Sequence, residues 1–308
     1  MGSIVASFHL ISGPRKRPIV TRRPGSPDRR GAAVVVSHRM TGVKEPTSAD
    51  YARVLEKAGF YALTFDAGYQ GESTGEPRGL EDPHQRVEDV KGAVSYLTTL
   101  KGIVAPEKIG VLGICASGGY TSYAAQCDSR IKALATVSAV CVVRMTRNDG
   151  LHESNNKESP EAIAGALQAA GQWRTKEARG PHEDATQMFP TDPSKIPADA
   201  DSFFKDAVAY YGSSRGHHEY LNQKVPPYSY DLMVSYDSFN YQHLVSRRGL
   251  LMIAGADAQT LHFSEAALKA AKEPKEPFTI EGRNHFDLYN DLTKSGPKVV
   301  EFFGKFLH

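Results

Sequence analysis

The run KIGVLGICASGGY, residues 108 to 120, sets apolar and β-branched residues directly against small ones. An apolar run of that length bounded by turn residues reads as a strand buried on both faces, and the small residues behind it read as a sharp turn into a helix. A strand buried on both faces needs parallel neighbours, and the flanking chain supplies them. AAVVVSH (32–38) is a second such run, followed by SADYARVLEKAGF, which places Tyr51, Val54, Leu55 and Ala58 on one helical face and stops at Gly59. YALTFD (61–66) is a further strand, and the loop AGYQGESTGEPRG behind it is too rich in glycine for regular structure. Val87, Val90, Val94, Leu97 and Leu100 then recur at three and four residues, which predicts an amphipathic helix over 84–100. IKALATVSAV (131–140), GLLMIAG (249–255) and PFTIEG (277–282) are three more strands, with helices expected over 264–272 and in PKVVEFFGKFL. This alternation predicts an α/β fold with a mostly parallel central sheet and helices on both faces.

The alternation breaks after residue 141. The following hundred or so residues hold Trp173, helix-like pieces such as SPEAIAGALQAA, and the aromatics Phe203, Phe204, Tyr210, Tyr211, Tyr228 and Tyr230. An insertion of this length after a central strand reads as a helical lid. The expected organisation is a core formed by 1–140 and 247–308 with a lid over 141–246. The lid aromatics fit either a lined cleft for an apolar ligand or a small core of the lid's own.

The chain has 308 residues, 40% of them hydrophobic, and a formal charge of +2. That balance predicts no strong attraction to nucleic acid or to an anionic membrane. The basic, proline-rich stretch 14–30, PRKRPIVTRRPGSPDRR, reads as a solvated loop. No segment approaches the roughly 18 apolar residues of a membrane span, and the N-terminus lacks a basic n-region. Three cysteines without C-x-x-C spacing, Cys115, Cys127 and Cys141, argue against a disulfide framework or a zinc knuckle. A cytoplasmic location fits this composition.

Ligands of open α/β sheets bind at the carboxyl ends of strands, so the residues just after each strand are the candidates. Gly113-Ile114-Cys115-Ala116-Ser117-Gly118-Gly119 resembles the G-x-S-x-G nucleophile elbow of α/β-hydrolases, with cysteine in the nucleophile slot. A frame on Ser117 would put cysteine where the elbow wants glycine, so Cys115 is the expected nucleophile and Ser117 the small packing residue. The strand at 249–255 is followed by Asp257 and that at 277–282 by His285, which gives the order nucleophile, acid, histidine. His285 would take and return a proton, and Asp257 would orient its ring. Asp287 and Asp66 are other carboxylates at the same edge, and His38 reads as a structural histidine. A helix N-terminus favours thiolate at Cys115, the Ala116 amide would be one oxyanion donor, and Arg39 or Met40 would supply the other.

Four runs carry a family resemblance. VVVSHRMTGVKEPTSADYARVLEKAGFYALTFDAGYQGESTGEPR, LEDPHQRVEDVKGAVSYLTTL, IGVLGICASGGY and RNHFDLYN resemble the α/β-hydrolases that include the fungal polyketide transferases, and the cysteine elbow is similar to that of dienelactone hydrolases. The resemblance covers most of 32–141 and 249–306. It implies the α/β-hydrolase fold and an acyl-transfer or hydrolytic enzyme without a cofactor or metal, working on thioester-delivered acyl chains in secondary metabolism. Its nucleophile falls on Cys115 and its histidine on His285. Arg39-Met40-Thr41 stand where relatives carry glycines, and Gln259 stands where relatives often carry the acid.

The leading expectation is acyl chemistry through Cys115, His285 and Asp257 on an ester or thioester. The partners to expect are a small-molecule acyl substrate, which an acyl carrier domain could deliver, and no nucleic acid or membrane; a homodimer is compatible with the sequence. A second expectation keeps the fold and uses His285 as acid and base for cyclisation or carbon–carbon bond making or breaking. A third is a ligand-binding protein without catalysis.

Overall fold

Eight strands form one sheet in the computed structural model, which describes residues 4–5, 19–151, 157–180, 185, 187–190, 192–221 and 223–308. They are β1 (Ile4–Val5), β2 (Ile19–Thr21), β3 (Ala33–Ser37), β4 (Tyr61–Thr64), β5 (Ile109–Ile114), β6 (Ile131–Val137), β7 (Gly249–Gly255) and β8 (Lys275–Ile280). Their spatial order is β1-β2-β4-β3-β5-β6-β7-β8, antiparallel only where β2 meets β1 and β4. The six parallel strands are those expected from the apolar runs. The strand β2 was not expected, because three residues between prolines are too few for a pattern to show. Residues 14–18 of the basic stretch lie outside the described residues.

The central strands read as continuous apolar runs because both faces are covered. Along β3, Ala33 and Val35 join one core cluster while Val34 and Val36 join the other. Along β5, Ile109 and Val111 point to the first and Leu112 and Ile114 to the second. The first cluster is closed by α2 (Pro83–Thr99), α3 (Ser117–Cys127) and α8 (Leu261–Ala270), through Val90, Ala124 and Phe263. The second is closed by α1 (Thr47–Lys57) and α9 (Ser295–Phe306), through Leu55 and Phe302. At the start of α2, Asp82 accepts from the His84 amide and Pro83 fills a position where no amide is needed.

Between β6 and β7 lie α4 (Val142–Arg147), α5 (Pro160–Ala178), α6 (Ser202–Tyr211) and α7 (Ser229–Val234). The two uses foreseen for their aromatics are divided between them. Trp173 and Tyr228 pack with Leu80 and Ala170 in a small separate cluster. Phe203, Tyr210 and Tyr211 of α6 instead join the second core cluster beside Phe286 and Tyr289. Among the described residues no helix is long and apolar enough to cross a membrane.

Candidate active site

Cys115 is the residue at which β5 turns into α3, and its φ is +56°, in the left-handed region that side chains other than glycine rarely occupy. The turn is tight enough to exclude larger neighbours. A Cβ on Gly113 would stand 2.2 Å from the Ser117 carbonyl oxygen, and one on Gly118 would stand 2.6 Å from Cβ of Ala139. The strained turn is held by the Cys115 amide donating to the Val137 carbonyl at 2.9 Å and by the Val140 amide donating to the Cys115 carbonyl at 2.9 Å.

Two residues on, Ser117 is fully buried and its hydroxyl is engaged on three sides. It donates to the His38 carbonyl at 2.5 Å, accepts from Arg86 at 3.0 Å, and pairs with the Ser37 hydroxyl at 2.9 Å. Arg86, itself 1% exposed, also donates to both oxygens of Glu81 at 3.2 Å. Glu81 in turn accepts from the Thr41 amide at 2.6 Å. Thr41 has φ +53°, so a buried ion pair pins the strained loop after β3. His38 serves the same scaffold: its Nε2 accepts from the Ala67 amide at 3.0 Å, which leaves Nδ1 to donate to the Arg39 carbonyl at 2.8 Å. Burial and the Arg86 charge hold its ring neutral. Asp66 is likewise structural, accepting from the Lys44 amide and ammonium and from the Glu72 amide.

Above the elbow is a cavity whose walls are largely apolar. Met145, Leu151, Met188, Phe189 and Phe203 line it from the β6–β7 segment, and Cys115, Thr41, Tyr211, His285 and Tyr289 supply its polar groups. His285 follows β8 and is 2% exposed. Phe203, Phe286 and Tyr289 surround its ring with centroids 5.0 to 5.3 Å away. Both ring nitrogens are engaged: Nδ1 lies 2.6 Å from the Thr260 hydroxyl and Nε2 lies 2.7 Å from the Tyr289 hydroxyl. Tyr289 and Ala116 line the same cavity as Cys115. Burial, and then the charge of Arg39, pull the imidazole down to about 3, so it is neutral at neutral pH. Desolvation pushes the Cys115 thiol up, opposed by Tyr289, the Ala116 amide and Arg39.

The carboxylate expected beside His285 is not there. Asp257 sits exposed on the turn after β7, and what that turn brings to Nδ1 is the Thr260 hydroxyl, three residues further on. The backbone explains the displacement. The Asp257 amide donates to the Arg283 carbonyl at 3.0 Å, which fastens the start of the turn to the next loop, and the residue reaching inward is the buried Thr260 at the head of α8. Gln259 bonds Ser202 at the start of α6 instead of the ring. Asp287 accepts from the Asn284 amide at 3.0 Å and lies 3.6 Å from Arg215, so it too is occupied elsewhere.

Arg39 is 1% exposed. Its Nε donates to the Tyr211 hydroxyl at 2.9 Å, and its guanidinium lies 4.9 Å from the Tyr211 ring centre, 5.8 Å from that of Tyr289 and 5.9 Å from that of Tyr210. One terminal nitrogen has no hydrogen-bond partner among the described residues. In the loop that carries it, the Thr41 amide is taken by Glu81 and the Gly42 amide by the Arg39 carbonyl, which leaves the Arg39 and Met40 amides outside these bonds. Cys141 is buried, whereas Cys127 is exposed at the end of α3. Among the described residues no group of three or more histidine, cysteine, aspartate or glutamate side chains could hold a metal ion.

Sequence reasoning missed Thr260 and Tyr289. The spacing of four residues from His285 to Tyr289 across one short turn, Asp287–Tyr289, was a readable signal for the second. Nothing in the pattern distinguished Thr260 from Asp257.

No protein-family profile matches the chain. It is 35% identical to the uncharacterized protein YcjY of Escherichia coli K12, over 84% of this chain and 82% of that one. It is 31% identical to the uncharacterized protein PA2218 of Pseudomonas aeruginosa, over 89% and 73% of the two chains. The crystal structure of PA2218 superposes with a TM-score of 0.85, covering 94% of this chain and 89% of that one. A shorter match, 38% identical over 107 residues, joins 35% of this chain to 33% of the thiohydrolase aneE of Aspergillus aculeatus. In fold, the α/β hydrolase GrgF from Penicillium superposes with a TM-score of 0.75 at 21% identity, covering 94% of each chain.

Proposed function

The chain belongs to the α/β-hydrolase superfamily, in the family of YcjY and PA2218, and from that premise we propose that it forms an acyl-enzyme on Cys115 from an ester or thioester with an apolar acyl chain. It is a hydrolytic or acyl-transfer enzyme; the nucleophile, substrate and acceptor are our reading. The observation that carries this reading is the backbone of Cys115: a strained, left-handed elbow at the end of a central strand, opening into an apolar cavity that also holds His285. A sulfur at that turn that lines the cavity is what nucleophilic attack needs, and burial of Ser117 in three hydrogen bonds removes the competing hydroxyl.

In the reaction, the Cys115 sulfur attacks the carbonyl carbon as its proton is drawn toward His285. The carbonyl oxygen takes up negative charge between the Ala116 amide and that of Met40 or Arg39. The intermediate collapses, the bond to the leaving alcohol or thiol breaks, and the leaving group takes the proton back. Water or an alcohol then attacks the thioester with His285 as base, the bond from the acyl carbon to sulfur breaks, and His285 returns the proton to the Cys115 sulfur. The segment 141–246 acts as a lid over the acyl chain, supported by the lining it contributes through Met145, Leu151, Met188 and Phe203. Polyketide-like acyl chains of secondary metabolism are the substrate class this reading favours, its polyketide part supported by 32% identity over 133 residues to the polyketide transferase claH of Penicillium crustosum. Thr260, rather than Asp257, orients the imidazole.

A second reading rests on the neutral state of the pair. A thiol pushed up by desolvation and an imidazole held near 3 form no resting ion pair, which suits His285 acting as acid and base in cyclisation without acylation. The deciding experiment is incubation with short acyl thioesters followed by intact-protein mass. An acyl adduct in the wild type and in Ser117→Ala, absent in Cys115→Ala, is the expected result. Turnover without an adduct would favour the second reading, and an adduct that survives Cys115→Ala would overturn the assignment.

A further inference from the structure

We propose that Tyr289 is a catalytic proton carrier, and that Cys115 and His285 exchange a proton through its hydroxyl. The inference rests on the acyl-enzyme reading for its chemistry, and on the geometry of the ring for its necessity. An imidazole has two nitrogens, and both are occupied here, Nδ1 by Thr260 at 2.6 Å and Nε2 by Tyr289 at 2.7 Å. The thiol therefore has no free nitrogen to address, while the phenol already on Nε2 lines the same cavity as Cys115 and opposes the rise of its thiol. Three polar groups stand in series: sulfur, phenol, imidazole.

The phenol is held in place from several sides. It is 0% exposed, its ring meets that of Tyr210 edge-on at 5.3 Å, and the Arg39 guanidinium lies 5.8 Å from its centre. The turn that carries it is tied down where the Tyr51 hydroxyl donates to the Leu288 carbonyl at 2.8 Å. A fixed phenol over a cation is suited to passing charge without keeping it.

The step balances as follows. The Cys115 S–H proton moves to the Tyr289 oxygen while the Tyr289 O–H proton moves to His285 Nε2. The sulfur pair forms the bond to the carbonyl carbon, and the carbonyl π pair moves to oxygen. On collapse the oxygen pair re-forms the carbonyl, the leaving group departs with its bonding pair, and the His285 proton returns through Tyr289 to it. Tyr289 begins and ends as a neutral phenol. Throughout, Nδ1–H donates to the Thr260 hydroxyl. Burial makes a free phenolate costly, so the two transfers are concerted.

The test compares Tyr289→Phe, His285→Gln and the double variant by two readouts: the rate of acyl-adduct formation on Cys115 from a short acyl thioester, and the pH profile of Cys115 alkylation by iodoacetamide. A relay in series predicts that Tyr289→Phe slows acylation about 100-fold with KM within about twofold, the usual scale of lost acid–base catalysis. It also predicts that the double variant is no slower than His285→Gln alone. Wild-type acylation in Tyr289→Phe, or effects of the two changes that multiply, would overturn it. If the wild type forms no acyl adduct, the acyl-enzyme reading fails by itself, and alkylation still decides: equal, non-multiplying losses at neutral pH support the relay, and an unchanged profile in Tyr289→Phe refutes it. Should Tyr289→Phe not fold, 3-fluorotyrosine placed at 289 keeps the shape and acidifies the phenol. A relay then shifts the pH profile, whereas a packing role leaves it unmoved.

Discussion

Two buried arginines lie near the elbow, each 1% exposed, and their charges are treated in opposite ways. Arg86 faces a carboxylate, Glu81, and spreads its remaining bonds over the Ser117 hydroxyl and the His38 carbonyl. Arg39 faces no carboxylate among the described residues; tyrosine rings and hydroxyls surround it. A neutralised cation fixes geometry, and its charge is felt by the groups packed against it, such as His38. An unneutralised one is poor at fixing geometry and acts at a distance, here on both His285 and Cys115. Arg86 is thus built for position and Arg39 for potential.

The comparison breaks if the two arginines respond alike. Arg86→Leu should cost about 3–5 kcal/mol of stability in urea unfolding, because it strands the buried Glu81. The next effect is acid destabilisation. The folded pKa of His285, about 3, lies below the ordinary 6.5, so between those values the unfolded chain binds a proton that the folded chain refuses. Stability should therefore fall as pH drops from 6.5, by at most about 1.4 kcal/mol per unit from this ring. His38, also held low, acts with the same sign, so His285→Gln should flatten the urea midpoint against pH only in part. Arg39→Met should leave stability within about 1 kcal/mol, since an uncompensated buried charge is replaced by an apolar chain, yet slow acylation of Cys115 about tenfold. A loss of stability as large as that of Arg86→Leu would show that Arg39 is structural after all. The smallest pair separates the two candidates for orienting the imidazole: Thr260→Val should slow acylation by roughly tenfold and Asp257→Asn by less than about twofold. A reversal of that order would return the role to Asp257.

How much of this was legible beforehand follows from what a pattern can carry. The six parallel strands were, because burial on both faces leaves continuous apolar runs such as AAVVVSH and GLLMIAG. The elbow was, because only small residues clear the Ser117 and Ala139 backbone. The acid was not, because in the turn 256–260 the register of inward-pointing residues depends on the hydrogen bond from the Asp257 amide to Arg283, a contact between two loops with no local trace. The pairing of Arg86 with Glu81 and the isolation of Arg39 are likewise properties of three dimensions. Two arginines in a sequence look the same; their counter-charges are assigned only when distant loops meet.

The aromatic collar of His285 has a further use. Rings of Phe203, Phe286 and Tyr289 at 5.0 to 5.3 Å will displace the magnetic resonances of the imidazole protons, and one of the three, Phe203, belongs to α6. Any swing of that helix away from the sheet would carry its ring current off the imidazole while the other two stayed. A single histidine resonance, recorded as substrate is added, would therefore report whether α6 moves when the cavity fills.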